Sequence, residues 1–181
     1  GMVVTNRDSI YTTGKKLRGQ GLADDREYWH DVVGFNYRMT NICAAIGLAQ
    51  LERVETILQE KARVAQEYRR HLQGYCSFQG EIVGSTSSHW MVSIAVRSHG
   101  KREGVRRKLR AAGVETRPVF CPAHTMPMYL SVGADFPVAM DISARGMNLP
   151  SYPDLTSDDI AYISHEVLMA VGEIAEEGAG P

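Results

Sequence analysis

The stretch Gly34-Phe-Asn-Tyr-Arg-Met-Thr-Asn-Ile-Cys-Ala-Ala-Ile-Gly-Leu-Ala-Gln-Leu-Glu52 limits what this chain can fold into more than any other. It changes character halfway. Gly34 to Met39 is a polar-aromatic turn carrying an amide, a phenol and a guanidinium. Thr40 or Asn41 can then cap a helix by accepting a hydrogen bond from an early backbone N–H. From there Ile42, Ala45, Ile46 and Ala49 fall on one helical face, and Val54, Leu58, Ala65, Tyr68 and Leu72 extend the stripe, which predicts one long helix over 41–72. Ala44, Ala45, Gly47 and Ala49 keep its first turns thin, so that another backbone can approach closely. Two readings fit: a capped core helix, or a site built at an interface.

The chain of 181 residues suits one domain or one domain plus a fragment. With 44% hydrophobic and 23% charged residues it has a globular composition, and its net charge of -1 gives no global attraction to nucleic acid or an anionic membrane. Cys43, Cys76 and Cys121 lack metal-ligand spacing and are odd in number, so reduced thiols in a cytoplasmic setting are expected. No apolar run approaches the ~20 residues of a membrane span. Nor does the start of the chain read as a signal peptide, because a basic n-region and an apolar h-region are missing.

Along the chain, Met2–Thr5 reads as a short β-branched strand, and Asp8 as the cap of a weak helix running to about Arg18. Residues 18–21 form a turn, and Leu22–His30 a polar loop. Glu52, Arg53, Glu55, Glu60, Lys61 and Arg63 read as a solvated helix face. Gly74 ends the long helix. Then follow a strand over His89–Arg97, a helix over Arg102–Ala112 closed by Gly113, a strand over Val114–Phe120, and a Pro-punctuated loop to Tyr129. A helix over Pro137–Arg145, a strand over Met147–Leu149 and a helix from Thr156 to about Val171 complete the order. Thr156 and Asp159 have capping-box spacing. This alternation predicts a compact α/β unit with helices on one side of a small sheet.

The wording of the central stretch, together with Gly113-Val-Glu-Thr-Arg-Pro-Val-Phe120, Pro122-Ala-His-Thr-Met-Pro-Met-Tyr129 and Leu149-Pro150, resembles the DegT/DnrJ/EryC1/StrS sugar aminotransferases, nearest their nucleotide-sugar 4-aminotransferase branch. The resemblance runs from Gly1 to about Val171. It implies the C-terminal part of a type I transferase fold dependent on pyridoxal phosphate (PLP). Residues 1–40 would be the tail of the large PLP-binding domain, 41–73 a long connecting helix, 74–172 a small C-terminal α/β domain and 173–181 a frayed tail. It also implies a homodimer with shared active sites, a nucleotide-activated keto sugar and an amino-acid donor as substrates, and a role in deoxyaminosugar or O-antigen-type polysaccharide synthesis. Because Gly1-Met-Val-Val-Thr-Asn6 follows the PLP lysine in such enzymes, the catalytic lysine is expected upstream of Gly1. None of Lys15, Lys16, Lys61, Lys101 and Lys108 sits in that lysine motif, and all read as exposed.

Asn36 is the candidate cofactor residue. Its amide can donate to a phosphate oxygen, and the resemblance implies contact with the PLP phosphate of the neighbouring subunit; the alternative is a turn Asn bonding its own backbone. Arg38 can pair with phosphate or carboxylate, or form a surface ion pair. Tyr37 reads as a core aromatic. The resemblance places Tyr28 and His30 near substrate, although His30 also suits a loop tie. Two prolines stiffen Arg117-Pro-Val-Phe-Cys-Pro-Ala-His124, so Arg117 and His124 keep a fixed relation beside the implied site, where His124 can bond a sugar hydroxyl or a phosphate, or tie down its loop. Cys121 departs from the resembling branch, which tends to carry a polar residue or His there. Lys101, Arg102, Arg106, Arg107, Lys108 and Arg110 suit a solvated helix face or, less simply, nucleic-acid contact. The sequence expectation is therefore the C-terminal portion of a sugar aminotransferase acting on a 4-keto-6-deoxy nucleotide sugar with glutamate as donor. A PLP-dependent sugar 3-dehydratase of the same family, a non-catalytic dimerisation fragment and a nucleic-acid-binding module stay open beside it.

Overall fold

The computed structural model describes residues 1–80, 82–130 and 135–177, of which 173–177 are described by backbone alone. The chain divides into two compact units, Gly1–Arg53 and Val54–Pro181.

In the first unit, α1 (Asp8–Arg18) has the expected span, but its N-cap position is Arg7, whose carbonyl accepts from Ile10 and Tyr11. Asp8 instead lies in the first turn, where its charge suits the positive end of the helix. Met2–Thr5 is not a strand: Met2, Val3 and Val4 are exposed and pair with no other strand among the described residues. A β-branched run forms a strand only when a ladder takes up its N–H and C=O groups. α2 (Asn41–Leu51) starts where expected, the Thr40 hydroxyl accepting from the Cys43 N–H at 3.3 Å. No residue of α2 is buried. The single helix expected over 41–72 is two helices, because at Arg53 the N–H turns to the Gln50 carbonyl at 3.2 Å, one residue short of the α-helical partner.

The second unit starts with α3 (Val54–Leu72) and continues with β1 (Cys76–Phe78), β2 (Val92–Val96), α4 (Arg102–Ala111), β3 (Arg117–Pro118), α5 (Pro137–Arg145), β4 (Gly146–Leu149) and α6 (Ser157–Glu177). The strands form one antiparallel sheet in the order β1-β2-β4-β3, with Ile94 opposite Met147 and Arg117 opposite Asn148. Alternation along β2 sends Val92, Ile94 and Val96 inward, into one core with Val64, Tyr68 and Leu72 of α3, Val105 and Leu109 of α4, and Ile160, Ile163 and Val167 of α6. The α/β class expected from the sequence is thus observed.

Three details differ from expectation. β1 forms at Cys76–Phe78, where the sequence pattern assigns no element. β2 starts at Val92 rather than His89, since His89 has φ +46 and cannot extend the strand. β3 shrinks to two residues: the Arg106 guanidinium takes the Thr116 carbonyl at 2.9 Å, and Pro118 has no N–H to add to the ladder. The capping box of α6 forms as expected, with Thr156 N–H donating to Asp159 at 3.0 Å and Asp159 N–H to the Thr156 hydroxyl at 3.1 Å. The helix then runs to Glu177, past the expected end at Val171, so the frayed tail expected over 173–181 is helical as far as 177 and beyond that lies outside the described residues.

The charged face of α3 is only partly solvated. Lys61 donates to the carbonyls of Trp90 and Ser151 at 2.7 and 2.5 Å. Arg63 reaches the Leu155 carbonyl at 2.6 Å and Pro153 at 3.4 Å, and Tyr68 donates to Pro150 at 3.0 Å. The segment leaving β4 has no ladder, and these donors satisfy its carbonyls. Lys61 is therefore not exposed as expected, and burial lowers its pKa. Arg63 also pairs with Glu67, which is 8% exposed and accepts from Ser157 of α6 at 3.2 Å.

The basic run on α4 is likewise partly structural. Arg102 holds the Ser143 carbonyl, and both Arg102 and Arg106 pair with Glu103. Tyr162 of α6 donates to the Ala112 carbonyl at 2.8 Å, closing the end of α4.

Burial by itself would raise the Glu67 carboxyl, but hydrogen bonds from Arg63 and Ser157 hold it below its ordinary value of 4.5. Its folded pKa thus lies under its unfolded one, so its stabilisation is present above the ordinary carboxylate range and is lost as pH falls through the folded value. The urea midpoint should fall between about pH 6 and about pH 3, and Glu67→Gln should start lower but fall less steeply. Equal slopes in the two proteins would remove Glu67 from the acid response.

Candidate functional site

Tyr28, His30, Asn36 and Arg38 lie in the first unit, on the segment between α1 and α2; Arg117 and His124 lie in the second. The first group hangs on a narrow neck. Phe35 N–H donates to the Leu17 carbonyl at 2.6 Å, Gln20 N–H to Phe35 at 3.0 Å and Tyr37 N–H to Arg18 at 3.1 Å. Gly19 and Asn36 form an isolated antiparallel bridge. Within the loop, Leu22 bridges His30, and Asp31 N–H donates to Gly21 at 3.2 Å.

Two glycines make this closure possible. Gly21 has φ +70, and a Cβ there would lie 2.1 Å from the Val32 carbonyl oxygen. A Cβ on Gly34 would lie 2.2 Å from the Gly21 nitrogen and 2.4 Å from the Gln20 carbonyl carbon. These contacts are backbone on backbone, so no side chain can swing aside to make room. Lys16 of α1 pairs with Asp31 beside the neck; its pKa is raised, first by that hydrogen bond and then by the charges of Asp31, Asp24 and Asp25.

Phe35 and Tyr37 stack with ring centroids 5.2 Å apart. Extended backbone puts residues i and i+2 on one face, so Asn36 and Arg38 share the other. Tyr37 is exposed, not the core aromatic expected. The Asn36 and Arg38 side chains are exposed and make no hydrogen bond or ion pair among the described residues. The alternative in which Asn36 bonds its own backbone is therefore absent. Tyr28 is 93% exposed at φ +54, and beside it the Arg26 guanidinium lies 4.0 Å from the Trp29 ring centroid. His30 Nδ1 lies 2.9 Å from the Gln20 carbonyl oxygen. A shallow cleft, wide open to solvent, is lined by Gln20, His30, Asp31, Val32, Val33 and Gly34.

In the second unit Arg117 is exposed, with Glu115 its nearest carboxylate at 3.9 Å, a surface pair worth little. His124 is half-buried in a 3-10 turn, its ring 4.7 Å from that of Phe136, which ties the proline-rich loop to the segment before α5. Cys121 is exposed. Trp90, within the strand expected over His89–Arg97, lies outside β2, is 70% exposed and stacks on Phe120 with centroids 6.4 Å apart. The neck was not read from the sequence either, although the glycines at 19, 21 and 34 were its signal. Among the described residues no group of three His, Cys, Asp or Glu side chains gathers as metal ligands, and no helix is long and apolar enough to cross a membrane.

Asn36 fits a phosphate-bearing cofactor in donor chemistry, with an exposed amide on a backbone pinned on both sides. Residues 1–168 match the DegT/DnrJ/EryC1/StrS aminotransferase family. GDP-perosamine synthase of Escherichia coli O157:H7 is 46% identical over 167 residues, spanning 92% of this chain and 46% of that protein. The GDP-perosamine synthase of Vibrio cholerae is 44% identical over 168 residues, spanning 90% and 46%. The solved aminotransferase TlmJ of Streptoalloteichus hindustanus superposes with a TM-score of 0.84 at 21% identity, covering 94% of this chain and 47% of that one. Helicobacter pylori PseC, an aminotransferase involved in the biosynthesis of pseudoaminic acid, gives 0.81 at 21%, covering 93% and 48%. The fold is thus that of about half of a sugar aminotransferase, and the chain spans about half the length of the curated relatives it matches.

Gly34→Ala should open the neck. Amide exchange at Gln20, Phe35 and Tyr37 should speed up by about tenfold or more, the equivalent of roughly 1.4 kcal/mol of lost closure. Gly14→Ala, whose Cβ meets nothing within 4 Å, is the control. Unchanged exchange in Gly34→Ala would show that the contact does not hold the loop.

Proposed function

The chain belongs to the DegT/DnrJ/EryC1/StrS aminotransferase family, and from that premise we propose that it forms part of a PLP-dependent enzyme moving an amino group from glutamate to a 4-keto-6-deoxy sugar carried on GDP. The GDP-sugar reading is supported by 46% identity to a GDP-perosamine synthase over 92% of the chain. The observation that carries the site is Asn36, fixed by its neighbours' backbone bonds, its side chain exposed and without a hydrogen-bond partner among the described residues. Such an enzyme serves deoxyaminosugar or O-antigen-type polysaccharide synthesis in the cytoplasm.

In this reading the Asn36 amide donates to a PLP phosphate oxygen across a homodimer interface. Arg38, on the same face, offers a planar cation to a phosphate or carboxylate of the substrates. Tyr28 and His30 are the further candidate substrate contacts of this unit; Arg117 and His124, in the second unit, are candidate substrate contacts considered by themselves. PLP, when bound, supplies the electron sink that lets nitrogen pass between amino acid and keto carbon. The exposed α2 favours a second role for the same chain, dimerisation: Ile42, Ile46, Leu48 and Leu51 are between 57% and 75% exposed.

The test is a chimera in which this chain replaces the matching half of the E. coli O157:H7 GDP-perosamine synthase. It should aminate a GDP-linked 4-keto-6-deoxy sugar with glutamate as donor. Asn36→Ala should weaken PLP binding by about one to two orders of magnitude, from the loss of roughly 1.5–3 kcal/mol of hydrogen bonding to a charged group. A folded, dimeric chimera that binds PLP but transfers no amino group to the sugar would contradict the proposal.

A further inference from the structure

The polar groups around the cleft in the first unit divide into donors and acceptors. The Gln20 carbonyl can only accept, so the contact at 2.9 Å requires the proton on His30 Nδ1. In the neutral ring that leaves Nε2 with a lone pair and no proton. Among the described residues nothing hydrogen-bonds to Nε2. The one carboxylate lining the cleft, Asp31, is taken by Lys16 and is not committed to the imidazole. The backbone that carries the ring is also held: Leu22 bridges His30, Ala23 N–H donates to the Trp29 carbonyl at 2.8 Å, and the Gly21–Gly34 contact fixes both ends of the loop.

Resting on the aminotransferase reading above, we infer that His30 is locked as its Nδ1–H tautomer so that Nε2 accepts a hydrogen bond from an O–H or N–H donor on the hexose of the nucleotide sugar. A phosphate or carboxylate is the wrong ligand for this atom. An anion needs a donor, and in the neutral ring the one proton is already engaged by Gln20. Asn36 and His30, both set by the same neck, thus take opposite partners: the amide of Asn36 gives to an anion, and the imidazole of His30 receives from a neutral group. His30 therefore sets specificity for a hexose bearing a donor at the facing carbon.

Two amides separate the ring's two roles. Asn places an N–H near the position of Nδ1 and nothing at Nε2, whereas Gln places its amide near Nε2 and forfeits the bond to Gln20. The experiment uses the chain itself, 15N-labelled, with long-range 1H–15N correlation at neutral pH to assign the His30 tautomer. GDP-mannose, GDP and inorganic phosphate are then titrated separately to about 10 mM, enough to fill most of a site of millimolar affinity.

The expected result is an Nδ1–H tautomer whose Nε2 resonance moves with GDP-mannose and stays still with GDP or phosphate. His30→Asn should keep amide protection at Ala23 and Asp31 while the cleft's response to GDP-mannose weakens by about tenfold, the equivalent of one hydrogen bond of roughly 1.4 kcal/mol. His30→Gln should lose that protection. An Nε2–H tautomer, an equal response to GDP or phosphate, or no response of His30 to GDP-mannose would each overturn the inference. If Arg117 or Asn36 responds to GDP-mannose and His30 does not, only the role of His30 falls. The aminotransferase reading fails separately, in the chimera assay.

Discussion

Carbonyl oxygens on the segment leaving β4 are taken by side chains of α3, and the second unit depends on that capture. Tyr68 reaches Pro150, Lys61 reaches Ser151, and Arg63 reaches Pro153 and Leu155. The segment cannot satisfy these groups itself, since it is neither strand nor helix and contains two prolines. Lys61 also holds the Trp90 carbonyl ahead of β2, so one ammonium joins the entry to one central strand to the exit from its neighbour. Glu67 completes the arrangement by linking Arg63 to Ser157 at the start of α6.

The first unit solves a similar problem by another route. Its loop is closed by backbone meeting backbone at Gly21 and Gly34, and none of its side chains is buried. Stability is thereby concentrated in a few contacts around the candidate site, while Asn36, Arg38 and Tyr28 stay exposed. Polar groups on a pinned backbone need little backbone rearrangement to meet a ligand, which is the economy of preorganisation.

Local chemistry was the legible part of the sequence. The Thr40 cap, the Thr156–Asp159 box, the bounds of α1 and α5, and the glycines ending α3 and α4 each follow from a few neighbouring residues. What could not be read depends on partners distant in the chain. Lys61 and Arg63 have the spacing of a solvated face and were read so; their carbonyl partners lie about ninety residues on. β3 was read too long because nothing local shows that Arg106 would take the Thr116 carbonyl. Apolar periodicity left α2 open between a core helix and an interface, and nothing among the described residues of its own unit buries it. The family resemblance was legible from words such as Gly-Phe-Asn-Tyr-Arg-Met-Thr-Asn, and the matched family and relatives agree with it. The tautomer-fixing bond from His30 to Gln20 was not, because it depends on how the loop closes.

The central claim is that the neck presents Asn36 to a cofactor phosphate in the opposite subunit. The most direct measurement mixes two inactive chimeric enzymes, one lacking the PLP lysine in its E. coli half and the other carrying Asn36→Ala, at limiting PLP. If Asn36 acts across the interface, each mixed dimer has one site with both defects and one with neither, and sugar amination returns on mixing. If mixed dimers form and no activity returns, Asn36 serves its own subunit and the account is contradicted.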